Sequence, residues 1–144
     1  MYRQIVEDYF RGQNGSDKDL VVSLFAEHAK VYNVNLPPFE GKDRIRQFCE
    51  DLYGRTSKRK FELVAYAEGS DFAIAEWSAK LSFREGAKIG PWTLGKPFEV
   101  DLRGVNKFEF DSGSTLISCL RVYHETTTVA KFAQENQAAE RANA

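Results

Sequence analysis

Phe72-Ala73-Ile74-Ala75-Glu76-Trp77-Ser78-Ala79-Lys80-Leu81-Ser82-Phe83 decides the fold. Polar residues recur at every second position from Glu76, and Ala73, Ala75, Trp77, Ala79, Leu81 and Phe83 fall on the other parity. That is the period of a half-buried β-strand. At twelve residues the strand is about twice the usual length, and long antiparallel strands twist and bend around whatever they cover. Three alanines on the inward parity leave space, and Trp77 supplies a flat wall. Shifting the phase by one residue would put Glu76, Ser78 and Lys80 inside instead.

The segments on either side extend the pattern. Phe61 to Ala67, Pro97 to Phe110 and Leu116 to Thr127 read as three more strands. Turn signals part them at Glu68-Gly69-Ser70-Asp71, between Gly86 and Gly95, and at Asp111-Ser112-Gly113-Ser114. Before Lys60 the period is helical. Ile5, Val6, Tyr9 and Phe10 make one stripe. Ser16 caps a second helix, with Asp19 three residues on and Leu20, Val21, Leu24 and Phe25 as its apolar face. Lys30 to Leu36 alternates as a short strand that Pro37-Pro38 ends. A third helix follows Gly41, with Ile45, Phe48, Cys49 and Leu52 on one side and Gly54 at its end. The expectation is a single α+β domain over residues 1–133, helices first and a curved antiparallel sheet after. Residues 134–144 form a tail that is a frayed helix or disordered.

Composition narrows the function classes. Twenty Lys and Arg balance 21 Asp and Glu, so no basic face of the kind that neutralises phosphates is expected, and no nucleic-acid partner. The one basic run, Arg55-Thr56-Ser57-Lys58-Arg59-Lys60, reads as a solvated turn or an anion-binding patch. No window approaches the ~20 apolar residues of a membrane span. Met1-Tyr2-Arg3-Gln4-Ile5 lacks the look of a secretory leader. Cys49 and Cys119 are far apart and fall in apolar patterns, so buried free thiols and a cytoplasmic location are expected. No metal spacing, phosphate loop or nucleophile elbow occurs, and no cofactor is implied. Aromatic residues reach 13%, more than a core of this size needs, which suggests a pocket or a buried partner surface.

Two passages carry a family likeness. Tyr32-Asn33-Val34-Asn35-Leu36-Pro37-Pro38-Phe39-Glu40-Gly41-Lys42-Asp43-Arg44-Ile45 resembles the strand, loop and Gly-x-x-x-Ile helix start of SnoaL-like members of the nuclear transport factor 2-like superfamily. Phe108 to Gly113, followed by Arg121-Val122-Tyr123-His124-Glu125, resembles that superfamily's closing hairpin. The likeness spans Ile5 to Thr128. It implies a cone in which N-terminal helices pack in the concave face of a strongly curved sheet, an open end for a small hydrophobic molecule, and a homodimer through the outer sheet face.

Candidate site residues follow from the inward parity. Trp77 and Ala79 on one strand, Leu102 and Asn106 on the next, and Val122 and His124 on the last would line an apolar cone with two polar points. Asn33 or Tyr32 would reach in from the entrance strand. His124, with an ordinary pKa near ~6.5, is the candidate general acid or base, or else a satisfied structural histidine. Asn106 and Tyr32 are candidate oxyanion donors, each with a structural alternative. Trp92, after Gly90-Pro91, is a lid or a packing residue. His28 reads as a helix-end surface residue, and Glu99, Asp101 and Arg103 as an outward row. The nearest enzyme pattern, similar to limonene epoxide hydrolase, fails because Trp77-Ser78-Ala79 and Val122 stand where its carboxylates would be. The functions left are a cofactor-independent isomerase, cyclase or dehydratase, a non-catalytic ligand binder, and a protein-interaction module.

Overall fold

In the computed structural model, which describes residues 1–137, the alternating stretch forms a strand over the same twelve residues. This strand, β4 (Phe72–Phe83), pairs antiparallel with β3 (Thr56–Glu68) on one side and β7 (Phe98–Phe110) on the other. Next to β7 lies β8 (Ile117–His124), and β8 pairs in parallel with β1 (Phe25–Asn33). A two-residue strand, β2 (Phe39–Glu40), finishes a six-stranded mixed sheet of order β2-β1-β8-β7-β4-β3. The phase is settled. Ala73, Ala75, Trp77, Ala79, Leu81 and Phe83 are all buried, and Glu76 and Lys80 are exposed. A register shift between Leu63 and Ala65 interrupts β3, and bulges of this kind bend a sheet.

The concave face is filled by α1 (Arg3–Asn14), whose Val6, Tyr9, Phe10 and Gln13 are buried at helical spacing. Tyr9 and Phe10 meet Phe108 edge-on, at 5.3 and 6.4 Å between ring centres. The next helix, α2 (Lys18–Ser23), is shorter than its sequence suggested. Its cap is Asp17, whose carboxylate accepts the Leu20 N–H at 3.1 Å, and Ser16 sits before it at φ +54. Phe25 already belongs to β1, and His28 is exposed on that strand rather than at a helix end. The register of β1 against β8 shifts between Phe25 and Lys30, so the inward positions Phe25, Ala29 and Val31 do not alternate cleanly. That irregularity hid the strand's first half.

Gly41, at φ +95, turns the chain into α3 (Lys42–Arg55). Gly54 lies inside this helix, and Thr56 opens β3 directly after it. The basic run is therefore a helix end and a strand start, not a turn. A small hairpin, β5 (Lys88–Ile89) and β6 (Trp92–Thr93), turns through Gly90-Pro91. The last strand stops at His124, and α4 (Thr126–Glu135) takes over where an extended strand was expected. This helix packs across the open end: Phe132 stacks on Phe98 at 5.7 Å, Ala133 is fully buried, and Gln137 bridges to Leu94. Of the expected tail, residues 134–137 complete this closure, and 138–144 lie outside the described residues. No helix among the described residues is long and apolar enough to cross a membrane. Cys49 is buried and Cys119 half-buried, and both are free thiols.

Candidate functional site

The sheet bends around a cavity of about 600 Å³, inside the range of roughly 300–1,000 Å³ typical of small-molecule sites. Its wall combines the sheet's concave face with α1, α3, α4, the β5–β6 hairpin and the loop after β1. Most of the wall is apolar, with Phe10, Phe61, Trp77, Leu81 and Leu102 toward the sheet and Phe48 and Leu52 from α3.

Polar atoms enter at few points. In the sheet register Asn33, Val122, Asn106 and Ala75 form one row across β1, β8, β7 and β4. Asn106 is 2% exposed, and its Oδ1 accepts the Trp77 indole N–H at 3.0 Å. An indole nitrogen only donates, so the amide orientation is fixed and Nδ2 is the end without a protein partner. Trp77 itself lies across Gly104, where a side chain would collide with the indole: a Cβ there would stand 2.3 Å from Trp77 Cζ2. The close approach of indole to backbone requires glycine at 104.

His124 reaches the cavity from the end of β8. Its Nε2 lies 3.2 Å from Asn35 Nδ2, while Nδ1 is buried with no hydrogen-bond partner. Burial lowers the imidazole pKa below its ordinary 6.5, because the charged form is the one that loses water. Asn35 is itself held by its neighbour: the Asn33 side-chain oxygen accepts the Asn35 backbone N–H at 3.1 Å. With the Asn35 amide donating, Nε2 accepts and Nδ1 carries the ring proton. With that amide turned over, Nε2–H donates and Nδ1 presents a lone pair. The Asn35 contact thus leaves Nδ1 either protonated or as a free lone pair, according to the tautomer.

Of the residues expected at the site, His124, Asn106, Asn33, Trp77, Trp92, Leu102 and Val122 line the cavity. Two do not. Tyr32 has the opposite parity to Val31 and Asn33, so its ring faces outward, 4.5 Å beneath the Arg121 guanidinium, beside a separate shallow depression. Ala79 is on the inward face and buried, but its partners across the strands are Phe61 and Leu102, which line the cavity where the alanine does not.

Several residues escaped the sequence reading. Tyr9 and Gln13 both line the cavity. The Tyr53 hydroxyl donates to Gln13 Oε1 at 2.7 Å, and Gln13 Nε2 donates to the Tyr9 hydroxyl at 3.3 Å, leaving the Tyr9 proton free to donate. Burial raises the Tyr9 pKa and pushes the Cys49 thiol up to about 11. Arg59, buried behind this chain, donates Nε to the Gln13 carbonyl at 2.9 Å and also bonds Thr56 and Ser16, with the Tyr53 ring 4.4 Å away. A signal did exist. Gln13 continues the Val6–Tyr9 stripe at i+7 and i+4, and Arg55 continues the Phe48–Leu52 stripe at i+7 and i+3. No group of three or more His, Cys, Asp or Glu among the described residues is placed to hold a metal ion.

Solved structures with this architecture are numerous. One assigned as a SnoaL-like polyketide cyclase, from Shewanella denitrificans, superposes with a TM-score of 0.81 at 14% identity, over 94% of this chain and 98% of that one. The epoxide hydrolase/cyclase-like enzyme SalBIII, described with pyran ring formation in polyether salinomycin, gives 0.69 at 21% identity over 88% and 92%. An LEH-like epoxide hydrolase of M. tuberculosis gives 0.67 at 18% identity over 92% and 89%. At these identities the likeness shows the fold. No curated protein matches the chain. The model of the SnoaL-like domain matches residues 6–116, from within α1 to the turn between β7 and β8, and the chain therefore belongs to the SnoaL-like family of the nuclear transport factor 2-like superfamily.

Proposed function

We propose that the cavity binds a small hydrophobic carbonyl compound and isomerises or cyclises it without a cofactor, by way of its enolate. The observation that carries this reading is the pair Asn106 and His124. Asn106 offers a nitrogen without a protein partner to an otherwise largely apolar space, and His124, whose buried Nδ1 also lacks a protein partner, helps line that space. In the reaction His124 Nδ1, neutral at pH 7, takes a proton from the carbon beside the carbonyl, while Nε2–H is held by Asn35. Asn106 Nδ2 donates to the oxygen as negative charge gathers there, and Tyr9 is a second donor. Returning the proton to another carbon gives isomerisation, and attack of the enolate carbon on a second carbonyl closes a ring. The SnoaL-like family, and neighbours named for polyketide cyclisation and pyran ring formation, support a reaction of this kind.

Hydrogen–deuterium exchange of 2-tetralone, followed by NMR, tests it. Exchange is expected to be faster than in buffer. His124→Ala should slow it by about 10²–10⁴-fold and Asn106→Ala by about 10²-fold. Because burial holds the His124 pKa below 6.5, the rate should be level near pH 7 and fall only on more acidic titration; the His124 variant should lose that limb. Exchange at the buffer rate, or unaltered in both variants, would rule the reaction out.

One observation favours a non-catalytic binder instead. Among the described residues lining the cavity there is no aspartate or glutamate. On that reading 2-tetralone binds but does not exchange. The outer sheet face exposes Ile74, Val105 and Tyr123, and we assign it to self-association as a homodimer.

A further inference from the structure

The cavity wall holds a cation that the fold does not use. Arg55 is the last residue of α3, half-buried, and its side chain lines the cavity on the stripe that carries Phe48 and Leu52. Its guanidinium makes no hydrogen bond and no ion pair with any described residue, and its backbone carbonyl accepts the Arg84 N–H at 2.9 Å. The carboxylate that bears on it electrostatically is Asp51, one turn earlier, which stands outside ion-pair distance and takes a hydrogen bond from Gln47 instead. Burial lowers the Arg55 pKa, as expected of a cation that has lost water without gaining a partner.

Arg59, four residues on, shows the contrast. Its guanidinium bonds Gln13, Thr56 and Ser16 and stacks over Tyr53, so it is satisfied by the fold. Leaving a partly buried guanidinium unpaired is unfavourable, and an anion is the partner that removes the cost. The rest of the wall agrees. Lys88 adds a second positive side chain, and no described lining residue is acidic.

We propose that Arg55 is the specificity residue of the cavity and receives an acidic group of the ligand, so that the ligand class is a small hydrophobic carboxylic acid, bound as its anion. The planar fork of the guanidinium matches a carboxylate in two parallel hydrogen bonds. The apolar body then lies against Trp77 and Leu102, within reach of Asn106 and His124. This inference rests on the reading of the cavity as a ligand site, and adds the charge of what enters it.

Calorimetric titration with 2-naphthoate and with its neutral isostere 2-naphthamide tests it. Wild type is expected to bind the carboxylate roughly 10- to 100-fold more tightly than the amide, the ratio that charged hydrogen bonds supply. Arg55→Met should abolish that preference while keeping its affinity for the amide, which also shows that the variant is folded. Arg55→Lys should retain part of the preference. If wild type binds the amide as well as the carboxylate, or if the preference survives in Arg55→Met, the acidic-ligand inference fails and the cavity reading stands. If neither probe binds wild type, the cavity reading falls and takes this inference with it.

Discussion

Gly104→Ala is expected to destabilise the protein by about 2–3 kcal/mol, at the upper end of what overpacking a core costs. The added methyl would sit 2.3 Å from Trp77 Cζ2 and 2.5 Å from the Tyr123 carbonyl oxygen. Neither neighbour can yield cheaply. The oxygen belongs to the β8 backbone, paired across Val105. The indole is held by its hydrogen bond to Asn106 and by an edge contact with Phe61, 5.2 Å between ring centres. Relief requires turning Trp77, which orphans the buried Asn106 oxygen and removes the group that orients the amide. Denaturant unfolding should therefore show a lower midpoint, and near-UV circular dichroism an altered Trp signal. A midpoint within about 0.5 kcal/mol of wild type, the range of an ordinary surface change, would mean that the indole is not packed as described.

The second large effect is expected at Arg59. Arg59→Met keeps most of the volume and removes every donor. The Gln13 and Thr56 carbonyl oxygens and the Ser16 and Thr56 hydroxyls then lose a partner together. Hydrogen bonds to a charged group contribute about 1.5–3 kcal/mol each, and those in one network are not additive, so a loss of about 3 kcal/mol or more is expected. Because Gln13 connects Tyr53 to Tyr9, the variant should also loosen the α1 side of the cavity. Thermal unfolding checks the first expectation and ligand affinity the second. Full stability in Arg59→Met would show that the guanidinium is solvated, as the basic run suggested when read as a turn.

These two sites mark what could and could not be read from the chain. The parity of β4 was legible because charged and polar residues alternate with apolar ones, and a one-residue slip would bury Glu76 and Lys80. From that parity came the wall at Trp77, Leu102 and Val122 and the polar points Asn106 and His124. Tyr32 and Asn33 cannot be told apart from the sequence, because the short entrance strand carries no decisive phase; in the structure Val31 and Asn33 take the inward side. Arg59 was hidden for a different reason. Between Lys58 and Lys60 it looks like one more surface cation, yet strand alternation turns it inward onto partners more than forty residues away. The helix α4 misled through local propensity: Thr126-Thr127-Thr128-Val129 is a β-branched run that favours a strand in isolation, and packing of Phe132 on Phe98 overrides it. Asn35, which pairs with His124 across 89 positions of sequence, carries no local signal at all.

The most direct test of the site is NMR of its own polar groups during titration with 2-tetralone. The Asn106 side-chain amide and the His124 ring nitrogens are the resonances to follow, with the Asn14 amide, which is exposed and bonds Phe61, as the outside control. The account predicts that Asn106 Nδ2 and His124 Nδ1 shift together, with one dissociation constant, while Asn14 stays still. If both site residues stay still while the ligand demonstrably binds, the cavity described here is not where the ligand goes.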